Sequence, residues 1–521
     1  MSTADNFISE LTEGYTFKGD SLILGTAIYN GEPQKNLHIK IPLSTINRHG
    51  LIAGATGTGK TKTVQVFAEA LSEKSIPVLL MDIKGDLSGI AASGSVNPKI
   101  EERHSKIGLP YQPKSFPVEF LTLSDEKGTR LRATVSEFGP VLVSKILELN
   151  DTQSGLLAIL FKYCDDNNLA LLDLKDLKKV LQFAAAEGKD SIEKDYGSIS
   201  STSVGTILRK VVELEQQGAE KFFGEKSFDV EDLLRVDENG YGVISILRLI
   251  DIQDRPKLFS TFMLSMLAEI YSGFPELGDK AEPKLVIVID EAHLIFKEAS
   301  KALLDQIETI IKLIRSKGVG IYFCTQNPTD VPASVLSQLG LKIQHALRAF
   351  TAQDRKMIKL TSENYPISEY YKTDELLTSL GIGEAAISAL NEKGVPTPLA
   401  ATLLCAPRSR MDILNEDELN SKINSSKLVI KYNHTIDRES AYEILNKKLD
   451  QAREFDLQIP DVQNRKYDQK TRTTTRTSTR KEKSTVDKVI NSPLSKQIGR
   501  TLVREISRGI LGVLGFGGRK R

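Results

Sequence analysis

Eight consecutive residues, Gly54-Ala55-Thr56-Gly57-Thr58-Gly59-Lys60-Thr61, have the spacing G-x-x-x-x-G-K-[ST]. Glycines at those positions let a backbone curl until its N–H groups point inward, at the positive end of the dipole of a following helix. Such a loop wraps phosphate. Lys60 would bring a point charge to the β- and γ-phosphates of a nucleotide, and the hydroxyl of Thr61 would ligate Mg²⁺. With Lys62 in the next helical turn, residues 54–62 are the candidate nucleotide contacts, and the ligands they imply are ATP and Mg²⁺.

A second constellation follows far downstream. Leu285-Val286-Ile287-Val288-Ile289 is an apolar run feeding two carboxylates, Asp290 and Glu291. A parallel strand buried on both faces reads this way, with its acids emerging at the C-terminal end where open α/β sheets bind ligands. Asp290 would hold Mg²⁺, directly or through water, and Glu291 would orient and polarise an attacking water. Ala292-His293 completes the letters DEAH, which carry no weight alone; His293 is either a packed neighbour of the site or a participant.

Other positions support these two. Gln326 ends the apolar run Ile321–Thr325, where its amide could sense a γ-phosphate or orient water, or be an ordinary polar strand end. Arg315 ends a helix whose face is Leu303, Ile307, Ile310, Ile311 and Ile314. It could meet the helix dipole, or reach a neighbouring subunit's nucleotide as an arginine finger. Arg348 and Arg355 are further candidates for the second role. Asp82-Ile83-Lys84-Gly85-Asp86 follows the strand Val78–Met81; it suits either a site position or a loop salt bridge.

The elements that must position these groups are legible as periodicity. An apolar run, Leu51-Ile52-Ala53, precedes the loop, and Val64, Phe67, Ala68 and Leu71 have helical spacing after it. Strand–helix alternation over residues 48–95 and 239–410 predicts an α/β fold, a RecA-like P-loop NTPase core around a parallel sheet. Residues 96–238 are Lys/Glu-rich with helical spacing and read as a large helical insertion. Residues 1–47 read as a small β-rich segment and residues 411–462 as a charged helical extension. Residues 463–484 hold eight cations and almost no apolar side chain, as expected of a disordered basic linker. Within 485–521, Ile498, Leu502, Ile506 and Ile510 repeat every fourth residue while Arg500, Arg504 and Arg508 mark another face, a basic amphipathic C-terminal helix.

Composition bounds the remaining possibilities. In 521 residues the net charge is +1 and there are three scattered cysteines, with no CxxC or metal-ligand pattern. The first residues contain acids and no apolar core of a signal peptide, and no run of about 18 apolar residues occurs. A cytoplasmic protein with reduced thiols is expected.

On the strings LIAGATGTGKTKT, MDIKGDLSG, LVIVIDEAHLIF, RSKGVGIYFCTQNPTDVPASVLSQLG and LRAFTAQDRK, the chain resembles the HerA/FtsK superfamily of ring-forming P-loop ATPases over about residues 15–410, within it the bacterial HerA-like proteins. The resemblance implies that Lys60 and Thr61 are the Walker A pair, Asp290 and Glu291 the Walker B pair, Gln326 the polar sensor and Arg315 the arginine finger. It implies a homo-oligomer, by family habit a hexamer, that pumps or unwinds DNA. With only about 50 residues before the loop, the N-terminal barrel of the DNA-end-processing members is much reduced, so their nuclease partnership is not expected. The large insertion is a second departure.

Two classes of function follow. One is a DNA-stimulated ATPase, a translocase or helicase, whose basic tail gives salt-dependent, sequence-independent binding. The other is an ATPase that remodels or signals to a protein partner or an anionic membrane surface through the C-terminal helix. That helix could equally pack on another subunit.

Overall fold

In the computed structural model, the structure describes residues 3–252, 255–277, 282–298, 301–434, 436 and 438–457. The basic linker and the C-terminal amphipathic helix expected from the sequence lie outside these residues. Two compact units divide the chain: one comprises residues 1–132, 217–222 and 226–435, the other 133–216, 223–225 and 436–521.

The first unit is built on a sheet of twelve strands: β1 (Ser21–Tyr29), β2 (Glu32–Pro42), β3 (Gly50–Ala53), β4 (Val78–Asp82), β5 (Val118–Thr122), β6 (Thr129–Arg130), β7 (Ile244–Arg248), β8 (Leu285–Ile289), β9 (Val319–Thr325), β10 (Leu341–Gln344), β11 (Glu384–Ser388) and β12 (Ala400–Leu404). Their spatial order is β2-β1-β12-β11-β10-β3-β9-β8-β4-β7-β5-β6. From β10 to β6 every neighbouring pair is parallel; from β2 to β10 every pair is antiparallel. Strands β3, β4, β8 and β9 are buried throughout, as strands covered on both faces must be, which explains their unbroken apolar runs.

Register does the positioning. Ala53 pairs with Thr325 and Gln344, and Ile289 with Met81 and Phe323, so the C-terminal ends of β3, β4, β8, β9 and β10 share one edge. Every segment expected to do chemistry leaves the sheet at that edge, except Arg315. The helix Lys60–Glu73 packs on β3 and β4 through Val64, Phe67, Ala68 and Leu71.

The expected α/β parallel-sheet core is present, and three details differ from the sequence reading. A helix, Thr3–Gly14, precedes the first strand and buries Phe7 and Leu11; Phe7 lies 4.6 Å from the Tyr29 ring and meets Tyr370 and Tyr371 edge-on. Strands β1 and β2 extend the main sheet through β12. Within 96–238, β5 and β6 belong to the core sheet beside β7, so the helical excursion starts at residue 133.

The second unit contains the helices Val135–Ile146, Asp151–Asp166, Leu174–Ala185, Lys189–Tyr196, Ser201–Gln216 and Ala441–Leu457. Thr134, Asn150 and Asp173 start three of them with capping boxes, pairing otherwise orphaned N–H groups. Among the described residues, no helix is long and apolar enough to cross a membrane.

Candidate functional site: a phosphate loop facing an acidic strand end

The loop after β3 is held from both sides. Gly54 N–H donates to Thr325 O at 3.3 Å on the β9 side; Ala55 N–H donates to Ala346 O at 2.9 Å on the β10 side. Gly383 N–H reaches Thr58 O at 3.0 Å, and Thr58 Oγ1 closes the turn onto Ala55 O at 2.7 Å. Gly54 is required for space as well as conformation: a Cβ there would stand 2.5 Å from that of His345. Gly59 has φ of +110° and starts the helix, which a side-chain-bearing residue would do only under strain. Lys60 is buried and folds its ammonium onto the loop's own carbonyls, Gly54 O at 2.6 Å and Ala55 O at 3.1 Å. Burial holds the Lys60 pKa below the ordinary lysine value.

Opposite stands the acidic end of β8. Asp290 is buried and accepts the Glu291 N–H at 2.9 Å; burial raises its pKa against the opposing charge of Lys84. Glu291 has φ of +48°, an uncommon conformation for a glutamate and a local strain of the kind that fixes a side chain's direction. Its Oε1 forms an ion pair with Lys84 Nζ. Its Oε2 is buried without a hydrogen-bond partner, although His293 Nδ1 lies 3.2 Å away outside hydrogen-bonding geometry.

The segment after β4 completes the site. Asp86 Oδ2 accepts the Thr61 hydroxyl at 3.3 Å, while its Oδ1 is buried and unpaired. Asp82 accepts the N–H groups of Gly85, Asp86 and Leu87 at 2.7, 3.2 and 3.2 Å, which shapes the turn. Burial first, then the charge of Asp86, pushes the Asp82 pKa up to about 6. Among the described residues no group of three His, Cys, Asp or Glu side chains could hold a metal unaided. A Mg²⁺ here would draw most of its ligands from phosphate and water, as that ion commonly does. The Thr61 hydroxyl, Asp290 and the unpaired oxygen of Asp86 fit such a partly hydrated ion.

The remaining candidates divide. Gln326 is exposed at the C-terminal end of β9, on the site edge. Thr56 and Gly57 are exposed at the loop's tip. Lys62 turns its ammonium to Met411 O and Gln65 Oε1, so only its backbone can serve the loop. Arg315, half-buried, precedes the start of β9; the seven residues of that strand span roughly 20 Å, which separates it from this chain's own loop.

Sequence reasoning missed two histidines. His345 lies under the loop with Nε2 2.9 Å from Thr63 Oγ1, and burial pushes its pKa down to about 4. His49 accepts Ile321 N–H at Nδ1 (3.0 Å) and donates from Nε2 to Ile311 O (2.9 Å). Each partner is far away in sequence, so no local pattern announces either residue.

A family model described as "Helicase HerA-like C-terminal" matches residues 27–521. The chain belongs to the HerA-like helicase C-terminal family. Among curated relatives of this HerA-like chain, the DNA double-strand break repair helicase HerA of Saccharolobus solfataricus is 25% identical over 68% of the chain and 64% of the relative. Its counterpart from Sulfurisphaera tokodaii is 26% identical over 68% and 64%. The HerA-like chain thus spans just under two thirds of the length of these relatives. Of solved structures, plasmid coupling protein TrwB in complex with ADP and Mg²⁺ aligns at 15% identity over 76% of this chain and 99% of that one, with a TM-score of 0.49.

Proposed function

We infer that this chain binds ATP with Mg²⁺ and hydrolyses it, as an oligomeric motor that translocates along or unwinds DNA. The observation that carries the reading is the phosphate loop on β3 facing two carboxylates at the end of β8, with β9 between them. Lys60 and the N–H groups of the loop would hold the β- and γ-phosphates. Thr61 and Asp290 would hold Mg²⁺, which when bound draws charge from the phosphate oxygens. Glu291 would take a proton from the water that attacks the γ-phosphorus, and Gln326 would orient that water or sense the phosphate.

Two observations support assembly and DNA. Arg315 stands too far along β9 for its own chain's loop, so a fingertip role requires a neighbouring subunit, in a ring whose size by family resemblance is six. The relatives' printed names describe DNA repair helicases, and the eight cations of residues 463–484 would release counterions from a nucleic-acid backbone. A cytoplasmic location goes with that role. The experiment is steady-state ATP turnover with and without single- and double-stranded DNA at two salt concentrations. Stimulation that fades with salt supports the motor; DNA-indifferent turnover favours the second reading. In that reading the ATPase acts on a protein partner or an anionic membrane, and the basic amphipathic pattern of Ile498–Leu514 favours it.

A further inference from the structure

The phosphate loop has two unlike flanks. On one side of β3 lie β9, β8 and β4, which carry Gln326, Glu291 and Lys84. On the other lie β10 and β11, whose connection leaves Phe350, Leu360, Ile367 and Ile382 in solvent; Ile382, 71% exposed, and Phe350, 87% exposed, are the two nearest in sequence to the strand ends beside the loop. If the terminal phosphate of a bound nucleotide points at Glu291, the nucleoside leaves the loop on this second, apolar flank.

Ile382 sits on backbone pinned to the loop, and Phe350 follows a second pinned segment at Ala346. Gly383, next to Ile382, donates its N–H to Thr58 O at 3.0 Å, and a Cβ on Gly59 would be only 3.3 Å from Gly383 N. Arg103 clamps the turn from behind, donating to Ile382 O at 3.2 Å, Gly383 O at 3.1 Å and Leu404 O at 3.0 Å. The segment leading to Phe350 is tied by Ala55 N–H to Ala346 O at 2.9 Å and by Leu347 N–H to Leu377 O at 2.8 Å. Phe350 N–H itself is fixed by Asp354 Oδ2 at 2.9 Å. Apolar side chains in water, Ile382 one residue and Phe350 four residues from a backbone tie to the phosphate cradle, are suited to a flat apolar ligand face.

We propose that Ile382 and Phe350 receive the purine base and ribose of the nucleotide whose phosphates lie on the loop 54–61; this rests on the reading of that loop as an ATP site. Arg103 occupies the carbonyls of Ile382 and Gly383, so this wall meets the face of a purine and leaves its edge unread.

The test uses full-length protein and two probes, ADP and inorganic tripolyphosphate, which shares the phosphates and lacks base and ribose. Ile382→Ser and Phe350→Ser should each weaken ADP by about five- to tenfold, the scale of losing one apolar contact surface. Tripolyphosphate affinity should stay within about twofold of wild type, which also shows that the loop remains folded. Parallel loss of both probes would assign the residues to loop support and overturn the proposal, as would unchanged ADP affinity. A change in subunit assembly with an unchanged ratio of the two affinities would make the pair an inter-subunit contact instead. Failure of wild-type protein to bind either probe would overturn the ATP-site reading itself, a distinguishable result.

Discussion

Lys84 and Glu291 meet as an ion pair across the ends of β4 and β8, on the edge where the phosphate loop also emerges. Glu291 is almost wholly buried while the Lys84 side chain is 40% exposed, so the lysine reaches an enclosed carboxylate from the solvent side. One carboxylate oxygen is therefore held by a cation and the other left without a hydrogen-bond partner, where a water could be received.

Removing that hold should misdirect the carboxylate without touching the phosphate cradle. Lys84→Met is expected to lower kcat roughly 10- to 100-fold, the cost of a displaced catalytic group, with KM for ATP changed much less. Lys84→Arg should recover part of the loss. Steady-state kinetics of the three proteins check this; an unchanged kcat in Lys84→Met would leave the pair a purely structural loop salt bridge.

Arg315 has two readings with different magnitudes. As a cation near a helix end it is worth about 0.3–1 kcal/mol of stability and nothing in turnover. As a finger in trans, Arg315→Ala should lower turnover about a thousandfold while nucleotide binding persists. Mixing wild-type and variant subunits at fixed total concentration should then depress activity more steeply than dilution. A linear mixing curve with near-normal turnover of the variant alone contradicts the finger.

His49 links β3, β9 and the helix Lys301–Ile314 through a donor at one ring nitrogen and an acceptor at the other. Protonating Nδ1 would set it against the N–H of Ile321. Burial accordingly pushes its pKa down from 6.5 to about 4, and the nearby charge of Arg315 acts in the same direction. The folded-state value is depressed, so the stability due to this residue is present above pH 6.5 and lost as pH falls through about 4. The full loss is on the order of 3 kcal/mol, the equivalent of that shift. His49→Gln keeps a donor and an acceptor and does not titrate. Thermal melts from pH 7 to 4 should fall less steeply for the variant; parallel curves would contradict the assignment.

Local chemistry was legible in the sequence and long-range chemistry was not. The loop at 54–61 and the run ending in Asp290-Glu291 stand out because each packs its function into a few adjacent residues. Lys84 and Asp86 were ambiguous, since their partners Glu291 and Thr61 are reached only through sheet pairing. His49, His345, Arg103 and Ile382 gave no signal at all; their roles arise from contacts with β9, the phosphate loop and β12 that no window contains. The insertion boundary was misread for a related reason. Strands β5 and β6 are five and two residues long and lie in charged surroundings, so helical spacing nearby masked them.

The most direct measurement is a paired binding and single-turnover experiment on wild-type protein and Glu291→Gln with ATP and Mg²⁺. The account predicts similar ATP affinity in both, with cleavage in the variant slower by at least about 100-fold, since only the proton acceptor has been removed. Cleavage at the wild-type rate in Glu291→Gln would contradict the central claim that the strand end at β8 activates the water.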